Sequence, residues 1–362
     1  MPGARLSPCY ACVKTFSRTT SEHSLAKLKD IAEELGLSPA TVSRALNGYP
    51  EVGEATRARV VEAAERLGYA PNPIARRLVG GRSGFVGMVV PRAGDVSVDP
   101  GFVDIVAGLS EALSDRDLDL VIHVDARDRP VDAYERLIRR NTLDGFIVTA
   151  PAINDQRLPL LRERGVPFAV HGPAGEEDDY FDIDNFSAGR MAVEHIAERG
   201  HARIAFLNGP AHLAYARDRA RGYEAALRNR KIAVDGDLLL YEAPTHPAGE
   251  RLARQLLDGA DPPTAILCSS TAIASGVYAA ADARGLVVGR DLAVLAHDDA
   301  PPHIRAEDFR PPLTVTAAPL SDACEPIARM LARRLDQPDA PPEQIVGTIT
   351  LIARESTGPA PQ

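Results

Sequence analysis

From Phe85 to the C-terminus, short apolar runs (FVGMVVP, LDLVIHV, DGFIVTA, VPFAV, ARIAFLNG, PTAILC and DLAVLAH) alternate with stretches of helical periodicity. Each run is far shorter than the ~20 residues that a membrane-spanning helix needs. Their unbroken apolar character is that of strands buried on both faces, and the alternation marks the doubly wound α/β class, a parallel sheet covered by helices. The stretch is too long for one small sheet, so two similar lobes are expected, joined by crossing strands near Phe181 to Asn185 and near Thr314 to Ala318. Ligands in such folds bind beyond the carboxyl ends of the strands, which places the expected pocket in a cleft between the lobes.

The N-terminal part follows a different pattern. Leu28 to Gly48, LKDIAEELGLSPATVSRALNG, reads as two short amphipathic helices joined by a tight turn, with the spacing of a helix-turn-helix whose second helix enters the DNA major groove. Leu28, Ile31, Ala32 and Leu35 recur at the spacing of a buried stripe, and Gly36 permits the left-handed turn that ends the helix. Ser38 followed by Pro39 is a strong start signal for the second helix. Val42, Ala45 and Leu46 then face inward, leaving Pro39, Ala40, Thr41, Ser43 and Arg44 outward. A third helix, near Glu54 to Leu67, closes the core with Val60, Ala63, Ala64 and Leu67. On an isolated helix Arg44 is a solvated surface charge; on a recognition helix it suits a two-pronged contact to guanine O6 and N7. Thr41, Ser43 and Asn47 are expected on phosphates, where they set register without reading sequence.

Charge supports this division. The chain of 362 residues has a formal net charge of −9, yet Leu25 to Arg82 holds nine Lys/Arg against seven Asp/Glu, and the tail before it three against one. The acidic excess thus lies in the body, where it discourages non-specific association with nucleic acid. Residues 1–24 lack the apolar core of a secretory signal, so a cytoplasmic compartment is expected. The four cysteines, Cys9, Cys12, Cys268 and Cys324, are too scattered for a disulfide framework. Cys9 and Cys12 form a C-x-x-C without a second pair or nearby His, so neither a metal nor a cofactor is expected. Met1 to Cys12 is expected to be a start-site artefact, with Val13 as the initiator.

LKDIAEELGLSPATVSRALNG followed by VGEATRARVVEAAERLGYAPNPIARRLVGGRSG resembles the N-terminal domain and hinge of the lactose-repressor/galactose-repressor (LacI/GalR) family of bacterial transcription regulators. By that resemblance, Pro39, Ala40 and Arg44 fall on positions that read base edges. Asn72 to Val79 becomes a hinge helix that folds on DNA, with Asn72, Ala75 and Arg76 at the duplex and Leu78 from two subunits wedged into the minor groove. An apolar wedge of this kind partly unstacks a base step and kinks the duplex. Lys27 departs from the pattern, standing where the family usually has a capping Ser or Thr.

The resemblance continues more loosely through the body, in DIDNFSAGRMAVEHIAERGHARIAFLNGP and RDRARGYEAAL, and implies a periplasmic-binding-protein-like effector domain. Carried over position by position, Arg219 matches an arginine that holds ligand hydroxyls or carboxylates, Asp298 the first acid of a G-[FY]-D-D motif, and Phe102 an aromatic lining the pocket. An Arg and an Asp facing one cleft suit a polyhydroxylated ligand. Departures cluster around the same pocket: Ser270 and Thr271 replace a common Asn-Asp, Ala296 and His297 precede Asp298, and Gly101 precedes Phe102. His171, after VPFAV, also reaches toward the cleft, although a lone His at a strand end is more often structural.

The expected organisation is therefore a tail (1–24), a helix-turn-helix headpiece (25–71), a hinge and linker (72–83), a two-lobed ligand-binding and dimerisation domain (84–356) and a short tail (357–362). The expected function is sequence-specific DNA binding by a homodimer, or a higher oligomer, at a near-palindromic operator, with repression controlled by a small effector, a sugar. The effector set is Phe102, His171, Arg219, Ser270 and Asp298. A transport-type sugar-binding protein is disfavoured by the attached reader. A sugar-acting enzyme is disfavoured because the chain has no G-x-x-x-x-G-K-[ST], H-E-x-x-H or G-x-S-x-G and no matched nucleophile and base. His195 and His201, with Gly200 between them, do not form a plausible metal pair.

Overall fold

The computed structural model describes residues 27–46, 49–69, 82–91, 100–125, 129–301 and 303–361. Asn47, Asn72, Ala75, Arg76, Leu78, Cys9 and Cys12 lie outside the described residues. The chain divides into two compact units, Met1–Gly81 and Arg82–Gln362.

In the first unit, α1 (Leu28–Leu35), α2 (Pro39–Leu46) and α3 (Glu54–Leu67) enclose a core of Ile31, Ala32, Val42, Ala45, Val52, Val60, Ala63 and Ala64. Gly36 ends α1 at φ 66° and Gly68 ends α3 at φ 65°, both in the left-handed region that only glycine enters without strain. Lys27 supplies no side-chain cap to α1. Asp30 compensates, its carboxylate accepting the Lys27 backbone N–H at 2.7 Å. The Arg57 guanidinium donates to the Tyr49 carbonyl at 2.9 Å and so fixes the connection between α2 and α3.

In the second unit, β1 (Phe85–Pro91), α4 (Pro100–Ser114), β2 (Asp119–Asp125), α5 (Pro130–Arg140), β3 (Gly145–Thr149), α6 (Arg157–Glu163), β4 (Phe168–His171) and β5 (Tyr180–Ile183) build a first lobe. The chain then passes through α7 (Asn185–Ala197), β6 (Ile204–Asn208), α8 (Ala214–Asn229), β7 (Leu239–Tyr241) and α9 (His246–Leu257) into a second. That lobe continues with β8 (Ala265–Cys268), α10 (Thr271–Asp282), β9 (Ala293–Asp298) and β10 (Thr314–Ala317). Next, α11 (Cys324–Asp336) and β11 (Gln344–Gly347) return to the first lobe, and β12 (Thr350–Ile352) ends in the second.

The first sheet has the order β11-β5-β4-β3-β1-β2 and is parallel throughout; the second has the order β12-β10-β9-β8-β6-β7 and is parallel except for β12 against β10. Each sheet is covered on both faces by apolar clusters, Leu109 with Leu331 and Tyr134 with Leu161 in the first lobe, Val277 with Val294 and Ile196 with Tyr223 in the second. The chain crosses between lobes three times, after β5, after β10 and between β11 and β12. The first two crossings are where the sequence places them. The third escapes sequence reading because β11 and β12 are short and half exposed, with no buried run to betray them.

The C-terminal segment, expected from residue 357 as a tail, is instead packed against the second lobe. Thr357 is buried and its hydroxyl bonds His195 Nε2 at 2.8 Å, while the Gly358 carbonyl accepts from His201 Nε2 at 3.1 Å. These two histidines are structural anchors, held by different partners. No helix among the described residues is long and apolar enough to cross a membrane.

Candidate functional site

Two sites emerge, one in each unit. In the headpiece, Ser38 Oγ accepts the Thr41 backbone N–H at 3.1 Å and meets the Thr41 hydroxyl at 2.8 Å, which opens α2 squarely behind Pro39. With Val42 and Ala45 buried, Pro39, Ala40 and Arg44 are exposed, and Thr41 and Ser43 are half-buried beside them. Of the outward face expected from periodicity, Pro39, Ala40 and Arg44 are fully outward, while Thr41 and Ser43 are partly covered. An ion pair between Arg66 and Glu34 ties α3 to α1.

In the second unit, a cavity of about 390 Å³ lies between the lobes, lined by the carboxyl ends of strands from both sheets. The first lobe contributes Thr149, His171, Phe181 and Asp182; the second contributes Ser269, Ser270 and Asp299. Of the effector residues expected from sequence, Phe102, His171, Arg219 and Ser270 line this cavity together.

Asp298 does not line it. At the end of β9 its carboxylate turns away to accept the Ala300 N–H at 2.8 Å, supporting a left-handed residue at Ala300 (φ 58°). The neighbouring Asp299 lines the cavity in its place. Asp299 lies just beyond the end of β9, so the turn at Ala300 decides which of the two acids points into the cleft.

Arg219 is the centre of the cleft's polar network. It is only 6% exposed on α8; its Nε donates to Asn185 Oδ1 at 2.7 Å and its Nη1 to the Ser269 carbonyl at 3.0 Å. The guanidinium lies 5.0 Å above the Tyr215 ring, a cation–π arrangement. Asn185 Nδ2 in turn donates to Asp182 Oδ1 at 3.1 Å, so one chain of bonds runs from β5 of the first lobe to β8 of the second. This placement depends on close helix packing. A Cβ at Gly189 of α7 would overlap the Arg219 carbonyl oxygen, and one at Gly222 of α8 would overlap the Phe186 carbonyl oxygen. The glycine of the R-x-x-G segment therefore lets α8 approach α7 closely enough for Arg219 to reach Asn185.

Burial dominates the electrostatics of the site. Burial pushes His171 down to about 4, so its imidazole is neutral at physiological pH. Burial pushes the Asp182 carboxyl up to about 7, outweighing the attraction of Arg219. Burial also works against charge on Asp299, but the His297 ring at 3.1 Å and the Arg219 charge prevail and hold that carboxyl below its usual range. His297 is itself pushed down by burial and by Arg219. Ser270 Oγ accepts the Ile273 N–H at 3.2 Å as the cap of α10, whereas the buried Ser269 Oγ has no hydrogen-bond partner among the described residues.

A strap closes one side of the cleft. Ile153 N–H donates to the His212 carbonyl at 2.8 Å and Ala214 N–H to the Pro151 carbonyl at 3.0 Å, making a two-bond antiparallel bridge from the first lobe to the second. Below it, Arg157 fans from Asp155 to the Thr149 and Ala150 carbonyls and holds Ala150 in a left-handed conformation (φ 45°). Sequence reasoning missed Asp182, Asn185, Ser269 and Asp299. The available signal for the first two was Asp-x-x-Asn at a strand-to-helix junction in DIDN, and for Asp299 the doubled acid itself.

Comparison with known proteins identifies the family of each part. Residues 27–72 match the model of bacterial regulatory proteins of the lacI family, and residues 193–357 match the periplasmic binding protein-like domain. The chain is 40% identical over 338 residues to the HTH-type transcriptional regulator AglR of Rhizobium meliloti (strain 1021), covering 92% of this chain and 95% of that protein. It is 33% identical over 337 residues to the HTH-type transcriptional regulator CelR of Thermobifida fusca, covering 91% and 97%. Among solved structures, a transcriptional regulator CelR–cellobiose complex superposes with a TM-score of 0.68 at 29% identity, covering 91% of this chain and 99% of that one. With a helix-turn-helix reader and a two-lobed body joined in one chain, this protein is a DNA-binding transcriptional regulator and belongs to the lacI family of bacterial regulatory proteins.

Proposed function

We propose that the protein is a cytoplasmic homodimeric repressor whose hold on a near-palindromic operator is set by a sugar bound between its lobes. The observation that carries the reading is the cleft itself: Arg219, Asn185, Asp182 and Asp299 converge with Phe102 and His171 on one cavity. Planar charged and amide groups of this kind bond neighbouring hydroxyls, while rings cover C–H faces. The sugar in the structure of the CelR–cellobiose complex supports the same assignment.

On the DNA side, Arg44 reads a guanine edge, Pro39 and Ala40 lie against bases, and Thr41, Ser43 and Asn47 hold phosphates. Asn72, Ala75, Arg76 and the Leu78 wedge extend the contact into the minor groove. Paired half-sites require a two-fold axis. The edge strand β2 supports a dimer, since it leaves Val121, Ile122 and Val124 exposed, Val124 by 55%. An apolar edge of that kind is an association surface unless covered. Ligand control follows if the sugar favours one arrangement of the lobes and that arrangement has a different affinity for operator.

Gel retardation with DNA from the upstream region of its own gene tests this. The expected result is a complex that weakens steeply with salt, as phosphate contacts require, and whose stability changes when the sugar is added. Absence of a complex at every salt concentration would remove the repressor reading.

A further inference from the structure

Besides the three covalent crossings, the lobes are joined by the strap, in which the loop after β3 pairs with the loop before α8. The pairing consists of two backbone bonds, Ile153 N–H to the His212 carbonyl at 2.8 Å and Ala214 N–H to the Pro151 carbonyl at 3.0 Å. Ala152 and Leu213 stand opposite each other between these bonds, as the closely spaced pair of an antiparallel ladder.

Each half of the strap is built to hold its position. In the first lobe the Asp155 carboxylate, 5% exposed, accepts the Ala152 and Arg157 N–H groups, both at 2.9 Å, and Arg157 holds the Thr149 and Ala150 carbonyls. Ala150 (φ 45°) and Asn154 (φ 60°) are left-handed on either side of the pairing, a conformation that non-glycine residues keep where their surroundings impose it. Pro151 rests on Gly172, where a Cβ would come within 2.4 Å of its ring. In the second lobe Leu213 is the N-cap of α8 and Ala214 its first residue, so the strap ends on the helix that carries Arg219. Two firm halves joined by two bonds make a contact that is either formed or broken. Pro151 and Leu213 also line the cavity, so a molecule entering it meets both halves.

We propose that this strap is the switch contact of the body: whether its two bonds are made decides which lobe arrangement, and hence which operator affinity, the protein adopts. The proposal rests on the reading of the protein as an operator-binding regulator controlled by its lobes.

Proline fits the first position of a helix and has no N–H. Leu213, extended at ψ 139°, already has the backbone that precedes a proline. Ala214→Pro therefore deletes one of the two bonds and keeps α8. Ala152→Cys with Leu213→Cys does the reverse, since a close antiparallel pair lies within disulfide range. Gel retardation with the upstream DNA, on the full chain and without added ligand, compares the two. One backbone bond is worth about fivefold in an equilibrium constant, so Ala214→Pro and the oxidised double-cysteine variant should differ about fivefold in operator affinity. Adding the cysteine pair to Ala214→Pro should remove that difference on oxidation and bring it back with reductant. The parent, oxidised alongside, controls for Cys9, Cys12 and the buried Cys268 and Cys324. Asp155→Asn, which loosens the first-lobe half without touching α8, should move affinity in the same direction as Ala214→Pro. Equal affinity in the locked, parent and proline proteins overturns the switch and leaves operator binding intact. So does a shift in Ala214→Pro that oxidation of the cysteine pair does not reverse. No complex with any variant, the parent included, removes the operator reading itself.

Discussion

Two arginines on helices serve the two sites, and they are held in opposite ways. Arg44 stands exposed on α2, its guanidinium without a hydrogen-bond partner among the described residues. Arg219 is buried on α8, bonded on two nitrogens and stacked over Tyr215. The first must be ordered when it meets DNA, so part of its interaction energy goes into lost side-chain freedom. The second is already in place, which means its neighbours depend on it as much as a ligand does. Substitutions should therefore separate the sites: in the reader, function is lost without stability, and in the cleft the two are lost together.

The largest contrast is expected from acid. His171 and His195 are pushed down to about 4 by burial, and His201 and His297 are also pushed down by burial. All four belong to the body, and residues 27–69 contain no histidine. In the unfolded chain these rings take up protons near pH 6.5. Above that pH both states are neutral and the full stability is present; as pH falls from 6.5 toward 4, protons bind the unfolded chain preferentially and stability declines. Asp182, raised to about 7, acts in the opposite sense, since its folded carboxyl takes up a proton before the unfolded one. Hydrogen exchange across this window should show the body opening on acidification while the reader's protection is unchanged, and Asp182→Asn should steepen the loss. Equal acid sensitivity in both units would break the contrast.

Helix packing ranks next. Gly222→Ala places a methyl on the Phe186 carbonyl, a backbone atom that cannot rotate away, and should destabilise the body by about 3 kcal/mol. Gly36→Ala in the reader meets no atom within 4 Å and is penalised only by its φ of 66°, by about 1 kcal/mol. Urea denaturation of the two variants compares them directly.

Arg219→Ala should lower body stability by about 2 kcal/mol, because it leaves Asn185 Oδ1 and the Ser269 carbonyl without their buried donor, and should abolish ligand response in the same protein. Arg44→Ala should lower discrimination between operator variants by about 1.5 kcal/mol at one base pair and leave urea unfolding unchanged. A variant of Arg44 that unfolds more easily, or one of Arg219 that does not, would show that the two arginines are held alike.

The same difference explains what was legible in the sequence. On α2 the period of a helix assigns every side chain to core or surface, so Pro39, Ala40 and Arg44 follow once Val42 and Ala45 are recognised as buried. The doubly wound body was legible for a similar reason, since β3, β6 and β8 are buried along their length and advertise it. Strand ends carry no such guide. Asp298 and Asp299 are chemically identical neighbours, and only the turn at Ala300 decides that the first caps a backbone amide and the second faces the cleft. Asn185 and Ser269 were missed because their importance comes from Arg219, a partner 34 residues from one and 50 from the other.

The smallest effect concerns the start of the reader. Lys27 occupies the cap position of α1 but its side chain forms no cap, and the Asp30 carboxylate takes the Lys27 N–H instead. A carboxylate in the first turn also lies at the positive end of the helix dipole. Asp30→Ala removes both contributions and should lower reader stability by about 1 kcal/mol, within the range of a lost cap. Lys27→Ser on that background adds a hydroxyl able to accept the residue 30 amide and should return most of the loss. Because α1 supports α2 through Ile31 and Ala32 in the shared core, with Leu28 and Leu35 packed against it, operator affinity should fall in proportion to the unfolded fraction, while the preference among bases set by Arg44 stays as it was. A change in base preference in Asp30→Ala would mean that the α1 terminus positions α2 on DNA, and that the reader is held more rigidly than its exposed arginine suggests.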